Sequence, residues 1–124
     1  MVVSNGMVVT RKGNIILFLF NVKNAISNGN IEWIPRSYNG LTILGLNLDN
    51  ASDIICGLTP KEYHRGPSPD FNGDGTDVWE FIYILESDGK IPVYIKLKFQ
   101  SEKCKVLSFH ESNKPFEQPY NESN

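Results

Sequence analysis

Residues Asp77 to His110 read DVWEFIYILESDGKIPVYIKLKFQSEKCKVLSFH, and this segment determines the predicted architecture. Its apolar segments are separated by the turn sequences ESDGK and QSEK, and this pattern predicts three short strands joined by two tight turns. In the last two strands apolar side chains alternate with polar and reactive ones, so the two groups lie on opposite faces of the sheet. The apolar face is predicted to carry Val93, Ile95, Leu97, Phe99, Leu107 and Phe109, and the opposite face Tyr94, Lys96, Lys98, Ser108 and His110.

The pairing of the last two strands follows from this alternation. A hairpin centred on Glu102 keeps the two apolar faces in phase, and it places Tyr94 opposite His110 and Lys96 opposite Ser108. Because directly opposite residues have Cβ atoms roughly 5 Å apart, we expect Tyr94 and His110 to flank a single phosphate. The other predicted pairs are Ile95 with Phe109, Leu97 with Leu107 and Lys98 with Val106.

The first half of the chain is predicted to be mainly helical. Apolar residues between Ile15 and Ile26 recur at helical spacing, and Asn28–Gly29 supplies a stop signal. Ile16, Leu17 and Phe20 widen the apolar stripe, so we expect the first half of this helix to be buried on most sides. The expected elements are helices over 14–27, 37–44 and 48–57, the last capped by Asp49, an extended piece over 31–35, a short helix with Thr59, Pro60 and Glu62 as its start signal, and a loop over 67–76.

These elements predict an α+β fold in which N-terminal helices pack on one face of a small antiparallel sheet. The sheet is a three-stranded C-terminal meander, with or without an extra edge strand, and its other face is left open for a ligand. The length of 124 residues fits a single domain over 1–124. We expect the lead-in, residues 1–12, and the polar tail, residues 113–124, to be poorly ordered.

The charge of the chain is unevenly distributed. The formal net charge of the chain is −2, whereas nucleic-acid-binding domains typically carry an excess of basic residues. Nine acidic residues lie between Asp49 and Asp88, whereas five lysines lie between Lys90 and His110. The last hairpin therefore carries a local positive patch, which suits either an RNA contact or a solvated sheet edge protected by lysines.

Cysteine use and hydropathy restrict the compartment and the cofactors. The longest apolar run, Ile15–Phe20, is far shorter than the roughly 20 residues of a membrane span. Cys56 and Cys104 lie in apolar contexts without a C-x-x-C pair. We therefore expect a cytoplasmic protein with two reduced thiols, no metal site, no cofactor and no membrane contact.

The polar face of the predicted sheet carries the groups that metal-free RNA cleavage needs. A base removes the proton of a ribose 2′-OH, the freed oxygen attacks the adjacent phosphorus, and an acid protonates the departing 5′ oxygen. His110 suits the role of base or acid, and Tyr94 can donate a hydrogen bond or a proton. Lys96 and Arg65 are expected to hold the phosphate, Arg65 in a bidentate manner.

Several short motifs occur along the chain in a fixed order: NIEWIPR (30–36), LGL (44–46), GLTPKEYHRGP (57–67), DVW (77–79), VYIKL (93–97), SFHE (108–111) and PY (119–120). Together they resemble the MqsR family (motility quorum-sensing regulator), the toxin half of bacterial type II toxin–antitoxin pairs. The resemblance covers most of the chain from about Ile15 to Tyr120, and the ordered set is more specific than any one motif.

The resemblance implies a RelE-like fold, endonuclease activity on single-stranded mRNA, no DNA contact by the toxin itself, and a neutralising antitoxin encoded nearby. The functional positions of the family fall on Arg65, on Tyr94 in VYIK and on His110 in SFH. His64, Lys98 and Lys105 are further candidates for RNA contacts.

Glu80 follows the tryptophan of DVW, a position where a polar residue can be functional in the family. The pattern argues against a role for Glu80 here. A two-residue turn at Asp88–Gly89 would place it opposite Leu97, on the apolar face, unless a longer loop or a bulge reverses the parity.

Two alternatives remain open on the sequence. The same scaffold could be a non-catalytic module that binds RNA or a protein partner, because the acidic segment and the scarcity of histidine suit binding as well as chemistry. The loop DFNGDG (70–75) begins like a calcium loop. Position 12 of that loop is Phe81, where calcium binding needs a glutamate, so a plain turn is favoured.

Overall fold

The computed structural model describes residues 2–4, 7–70 and 73–121 of the 124-residue chain. It has three helices and a five-stranded mixed sheet within this part of the chain, so the α+β prediction is confirmed, although the sheet has five strands rather than three. The elements are β1 (Val2–Ser4), β2 (Met7–Val9), α1 (Lys12–Ser27), β3 (Ile31–Trp33), α2 (Pro35–Leu44), α3 (Leu48–Cys56), a 3₁₀ turn (Pro60–Glu62), β4 (Tyr63–Pro69), β5 (Asp77–Ser87), β6 (Gly89–Gln100) and β7 (Lys103–Glu111).

The predicted meander forms the centre of the sheet, whose strand order is β3-β7-β6-β5-β4. β3 pairs in parallel with β7, and β4 pairs antiparallel with β5. The prediction of a loop from Pro67 was wrong, because β4 extends to Pro69. β4 is an edge strand, and proline is tolerated there because one side of the strand needs no ladder hydrogen bonds. β1 and β2 pair with each other as a separate two-stranded sheet.

One face of the sheet, here called the helix face, packs against α1 and forms the core. Ile15, Leu19 and Val22 of α1 lie in one buried cluster with Ile95 and Leu97 of β6. The predicted α1 is confirmed and begins two residues earlier than expected. The prediction that its first half is buried on most sides was wrong, since Ile16, Leu17 and Phe20 are 52%, 59% and 61% exposed.

Helix α2 covers the edge of β7 beyond the point where β3 ends. The backbone N–H of Ile34 donates to Val106 O at 3.0 Å, and Arg36 Nε donates to Leu107 O at 2.8 Å. Farther along, Gly40 lies so close to β7 that a Cβ atom there would stand 1.9 Å from Phe109 O. The helix therefore replaces a neighbouring strand and protects the edge of β7, the strand that carries His110.

The β5–β6 hairpin corrects the expectation for Glu80. Ser87 pairs with Gly89 across Asp88 alone, so the turn is one residue shorter than predicted. The register consequently places Glu80 opposite Lys96 rather than opposite Leu97. Because parity alternates along a strand, Glu80 lies on the same face as Tyr94, here called the open face.

The β6–β7 hairpin follows the predicted register only at its far end. Tyr94 lies opposite His110, Ile95 opposite Phe109 and Lys96 opposite Ser108, as expected. Ser101 and Glu102 both have positive φ in a two-residue turn, and a bulge after Lys96 then shifts the register by one. Two predicted pairs were therefore wrong: Leu97 lies opposite Val106, and Lys98 lies opposite Lys105.

The start signals of the short helices were largely predicted. The capping box of Thr59 and Glu62 is present. Helix α3, however, is capped by Asn47, whose side chain accepts from the N–H of Asn50 at 2.7 Å, and not by Asp49. An asparagine two residues upstream fits the cap because its extended backbone lets Oδ1 reach the first free N–H groups.

After β7 the chain turns back across the open face as a segment, residues 112–121, that we call the strap. The N–H of Ser112 donates to Pro92 O at 2.8 Å, and Gln118 Nε2 donates to Ile82 O at 2.7 Å. At its end Tyr120 donates its hydroxyl proton to Thr10 O at 2.7 Å. The strap therefore crosses the sheet from β6 to the start of α1 and walls one side of the open face.

Among the described residues, no helix has the length and apolar character needed to cross a membrane.

Candidate active site

A cavity of about 300 Å³ lies between the open face of the sheet and the strap. Its floor and walls come from β4, β5, β6, β7 and the first half of the strap. The lining residues are His64, Arg65, Glu80, Ile82, Tyr94, His110, Ser112, Asn113, Lys114, Pro115 and Phe116. Four of the seven residues predicted for the site therefore fall around one cavity, although the sequence spreads them over 47 positions: His64, Arg65, Tyr94 and His110.

The register places the two principal candidates side by side. Tyr94 and His110 are direct partners across β6 and β7, and their ring centroids are 5.2 Å apart. His110 is exposed, whereas Tyr94 is half-buried. The two rings therefore border the same space, with the imidazole nearer to solvent.

On the other side of the cavity, the Glu80 carboxylate accepts hydrogen bonds from both Arg65 and Tyr94. It accepts from Arg65 Nε at 3.0 Å and from a terminal guanidinium nitrogen at 3.2 Å, which is a bidentate pair. The hydroxyl of Tyr94 donates to Glu80 Oε1 at 2.5 Å. The Glu80 side chain is only 8% exposed, while that of Arg65 is 56% exposed. The arrangement keeps the carboxylate buried and presents the guanidinium to solvent.

These contacts shift the pKa of each partner. Burial raises the pKa of Glu80, but the hydrogen bonds from Arg65 and Tyr94 and the charge of Arg65 outweigh it, so the net pKa is lowered. Burial, followed by the hydrogen bond to Glu80, raises the pKa of Tyr94 well above its ordinary value. The hydrogen bond to Glu80 raises the pKa of Arg65. The cluster is thus an ionised carboxylate between a permanent cation and a firmly protonated phenol.

Both histidines of the chain line the cavity, and backbone carbonyls hold both of them through Nδ1. His110 Nδ1 lies 2.8 Å from Glu111 O, and His64 Nδ1 lies 2.7 Å from Glu117 O. Because a carbonyl can only accept, Nδ1 of His110 donates to Glu111 O. At His64 the contact of Nδ1 with Glu117 O is shorter than the 3.3 Å contact with the Glu117 N–H, so we assign the Nδ1 proton there as well. In this tautomer the Nε2 atom of each ring has a lone pair that can accept a proton.

The three lysines among the predicted site residues lie outside the cavity lining. Lys96 lies on the open face opposite Ser108, next to the Tyr94 row. Lys105 is half-buried beside Lys98, near the turn of the last hairpin. The Nζ of Lys98 donates to Asp70 at 2.9 Å and to Asp74 at 3.1 Å, and its side chain is 6% exposed. The Lys98 ammonium is therefore engaged in a structural ion pair and is not exposed for a contact with RNA.

The same ion pair bears on the calcium alternative. Asp70 and Asp74 stand at positions 1 and 5 of the calcium-loop pattern, and the Lys98 ammonium bridges them. Asp74 also accepts from the N–H and hydroxyl of Thr76. A lysine thus occupies the place between the carboxylates, which favours a plain turn over a metal site. Across the described ranges, no group of three or more His, Cys, Asp or Glu side chains could hold a metal ion.

A protein-family model matches residues 16–111 of the chain, and its description is the motility quorum-sensing regulator, toxin of MqsA. The chain belongs to this family. It is consequently a toxin of a toxin–antitoxin system, and the family implies an antitoxin partner. A search of curated proteins finds no match.

Sequence reasoning placed Glu80 on the wrong face and missed the strap of this toxin. Glu80 was misplaced because its parity depends on the length of the β5–β6 turn, which one residue decides. Residues 112–116 line the cavity, yet they lie beyond the range that the family model matches. The only local signal was the PY pair at 119–120, whose tyrosine anchors the end of the strap.

Proposed function

We propose that this toxin is a metal-independent endoribonuclease that cuts single-stranded mRNA in the cytoplasm. The ribose 2′-OH attacks the adjacent phosphorus, which leaves a 2′,3′-cyclic phosphate and a free 5′-OH. One observation carries the proposal: an exposed imidazole, a phenol and a guanidinium border one cavity of about 300 Å³.

In this proposal His110 transfers the proton, since the residue is exposed, lines the cavity and has its Nδ1 held by Glu111 O, which leaves Nε2 for the substrate. Tyr94 orients the phosphate rather than donating its proton, because burial and the bond to Glu80 raise its pKa. Arg65 neutralises the developing charge, and its exposed guanidinium suits this role. Lys96 contributes charge from the neighbouring row of the open face.

The test of this proposal uses purified full-length toxin, RNA and EDTA. We expect cleavage in the presence of the chelator and growth arrest when the toxin is expressed. The double variant His110→Ala with Tyr94→Phe should lose about 100-fold or more of the cleavage rate and relieve growth arrest. Tyr38→Phe is the matched control, because Tyr38 is an exposed phenol on α2 outside the cavity. Full activity in the double variant would refute the assignment.

The alternative is a non-catalytic module that binds RNA or a protein through the same face. The observation in its favour is the ionised Glu80 inside the cavity, because a carboxylate repels phosphate. Under the same conditions, intact RNA with measurable binding would favour this alternative over the nuclease.

A further inference from the structure

The proposed cleavage needs two proton transfers, and the residues assigned so far leave the second one without a donor inside the cavity. Lys96 lies outside the cavity lining. The phenol proton of Tyr94 is held by Glu80, and the raised pKa of Tyr94 makes its release harder. Arg65 is a permanent cation whose pKa is raised further by Glu80. Since His110 already accepts the proton of the 2′-OH, another group must protonate the leaving 5′ oxygen.

His64 occupies the position that this role requires. It lies on β4 next to Arg65, it lines the cavity, and it is half-buried. The strap holds its ring, since Nδ1 donates to Glu117 O at 2.7 Å. The N–H of Glu117 also approaches Nδ1, but at 3.3 Å, so donation to the carbonyl is the stronger contact. This contact fixes the ring and leaves Nε2 for a substrate.

The two histidines lie on opposite sides of the cavity. His110 is on β7, in register with Tyr94 of β6 and Ile82 of β5. His64 is on β4, at the register shift between Tyr63 and Arg65. β4 and β7 are three strand spacings apart, roughly 14 Å, and both imidazoles line the cavity between them, with Arg65 beside His64. An imidazole on each side of a phosphate is the geometry for base and acid to act in line.

We propose that His64 is the general acid of this toxin, paired with His110 as the general base; the inference rests on the proposed nuclease function. His110 Nε2 takes the proton of the 2′-OH, and the 2′ oxygen forms a bond to phosphorus. The bond from phosphorus to the 5′ oxygen breaks, and its electron pair stays on that oxygen. The 5′ oxygen then takes the proton from Nε2 of the protonated His64, so the 5′-OH leaves and no net charge is created.

Glu80 and the strap support His64 in this role. The charge of His64 is one of the contributions that lower the pKa of Glu80, so the two side chains interact through space. A protonated imidazole is opposite in charge to this carboxylate, and Glu117 O accepts from the other ring nitrogen. The strap is thus a part of the active site, because it fixes the ring that donates the proton.

A leaving group that needs no proton gives the decisive experiment. The probe is an oligoribonucleotide that contains one site mapped with the wild-type toxin, made either with the natural 5′ oxygen or with sulfur in its place. A thiolate leaves without protonation, so loss of the acid no longer slows the reaction. The variants are His64→Asn, whose amide can still donate to Glu117 O, His64→Gln as a second replacement, and His110→Gln as the matched base variant.

We expect His64→Asn and His64→Gln to cleave the oxygen substrate about 100-fold more slowly than wild type, and the sulfur substrate within about fivefold of wild type. His110→Gln should stay slow on both substrates. Equal losses on both substrates in the His64 variants, or no loss on the oxygen substrate, would overturn the role of His64. If the wild-type toxin cleaves no RNA when the site is being mapped, the nuclease proposal itself fails, and this outcome is distinct from the first two. Circular dichroism spectra of the variants check that the fold is retained, and two replacements guard against the misfolding of one.

Discussion

Two charged clusters lie on the open face of the same sheet, and they are built in opposite ways. In the cavity cluster the buried group is a carboxylate, Glu80 at 8% exposure, and its cation Arg65 is 56% exposed. In the loop cluster the buried group is a cation, Lys98 at 6% exposure, and its partner Asp74 is 48% exposed. The cavity cluster therefore offers positive charge to a ligand, whereas the loop cluster conceals it.

This difference shows that positive charge in a strand sequence does not by itself mark a site for RNA. Lys98 and Lys96 stand two residues apart on one face, yet only Lys98 meets the carboxylates of the 70–74 loop. The two cations differ in the burial of their counter-ions, because the buried carboxylate of Glu80 fixes the Arg65 guanidinium while that cation keeps its contact with solvent.

The first prediction concerns the stability that the loop cluster provides. Lys98→Met removes an ammonium that makes hydrogen bonds to two carboxylates, and we expect the free energy of unfolding to fall by about 2 kcal/mol. The cost stays below that of a fully buried pair, since Asp74 is half-exposed and water can solvate it. Urea denaturation measures the change. Lys105→Met, on the partner strand opposite Lys98, is the control and should change the free energy of unfolding by less than about 0.5 kcal/mol. An equal loss of stability in both variants would contradict a structural role for the Lys98 ion pair.

The sequence predicted the features that depend on local alternation of side chains, but it did not predict those that depend on contacts between distant segments. The pairing of Tyr94 with His110 followed from alternation and a hairpin centred on Glu102, and it is confirmed because the bulge after Lys96 offsets the two-residue turn. The face of Glu80 depended on one residue in a turn. The partners of Lys98 lie on the preceding loop, and no pattern within β6 records them.

The strap shows the same limit more strongly. Its polar, proline-containing sequence has no periodicity that could place it across the open face. Its path depends on single contacts, such as Gln118 with Ile82 O and His64 with Glu117 O. The sequence therefore suggested His64 only as a candidate RNA contact, and the partner of its ring, Glu117 O, became visible only in three dimensions.

The second prediction concerns activity and depends on the proposed function. Glu80→Ala removes the carboxylate that accepts from both Arg65 and Tyr94, so neither side chain is held in place. We expect the rate of RNA cleavage to fall about tenfold, which is equivalent to about 1.4 kcal/mol of transition-state stabilisation. Glu80→Gln keeps an acceptor for the Tyr94 hydroxyl and should lose less than Glu80→Ala. Asp74→Ala changes the other cluster and should leave the rate within about twofold of wild type. Single-turnover cleavage of one oligoribonucleotide by all four proteins gives the ranking, and a larger loss in Asp74→Ala than in Glu80→Ala would reverse the comparison.

The third prediction is a pH dependence of stability. The pKa of Glu80 in the folded protein is lowered, because the bonds from Arg65 and Tyr94 outweigh the burial that raises it. A lowered pKa means that the folded state binds this proton less readily than the unfolded chain. The stabilisation is therefore complete above the ordinary glutamate value, 4.5, and is lost as the pH falls through the lowered value.

The size of this effect is small, because Arg65 is more than half exposed and solvent screens its charge. We expect wild type to exceed Glu80→Gln by less than about 1 kcal/mol at pH 7, and the gap to close as the pH falls below 4.5. Urea midpoints of both proteins at pH 7, 4.5 and 3 measure the gap. Asp74→Asn is the matched variant, since the bonds from Thr76, Gln100 and Lys98 also lower the pKa of Asp74, and its gap should close in the same direction at lower pH. A difference in stability between wild type and Glu80→Gln that stays constant over this pH range would contradict the prediction. It would mean that Arg65 and Tyr94 do not hold the Glu80 carboxylate in its ionised form. The two clusters would then differ only in burial.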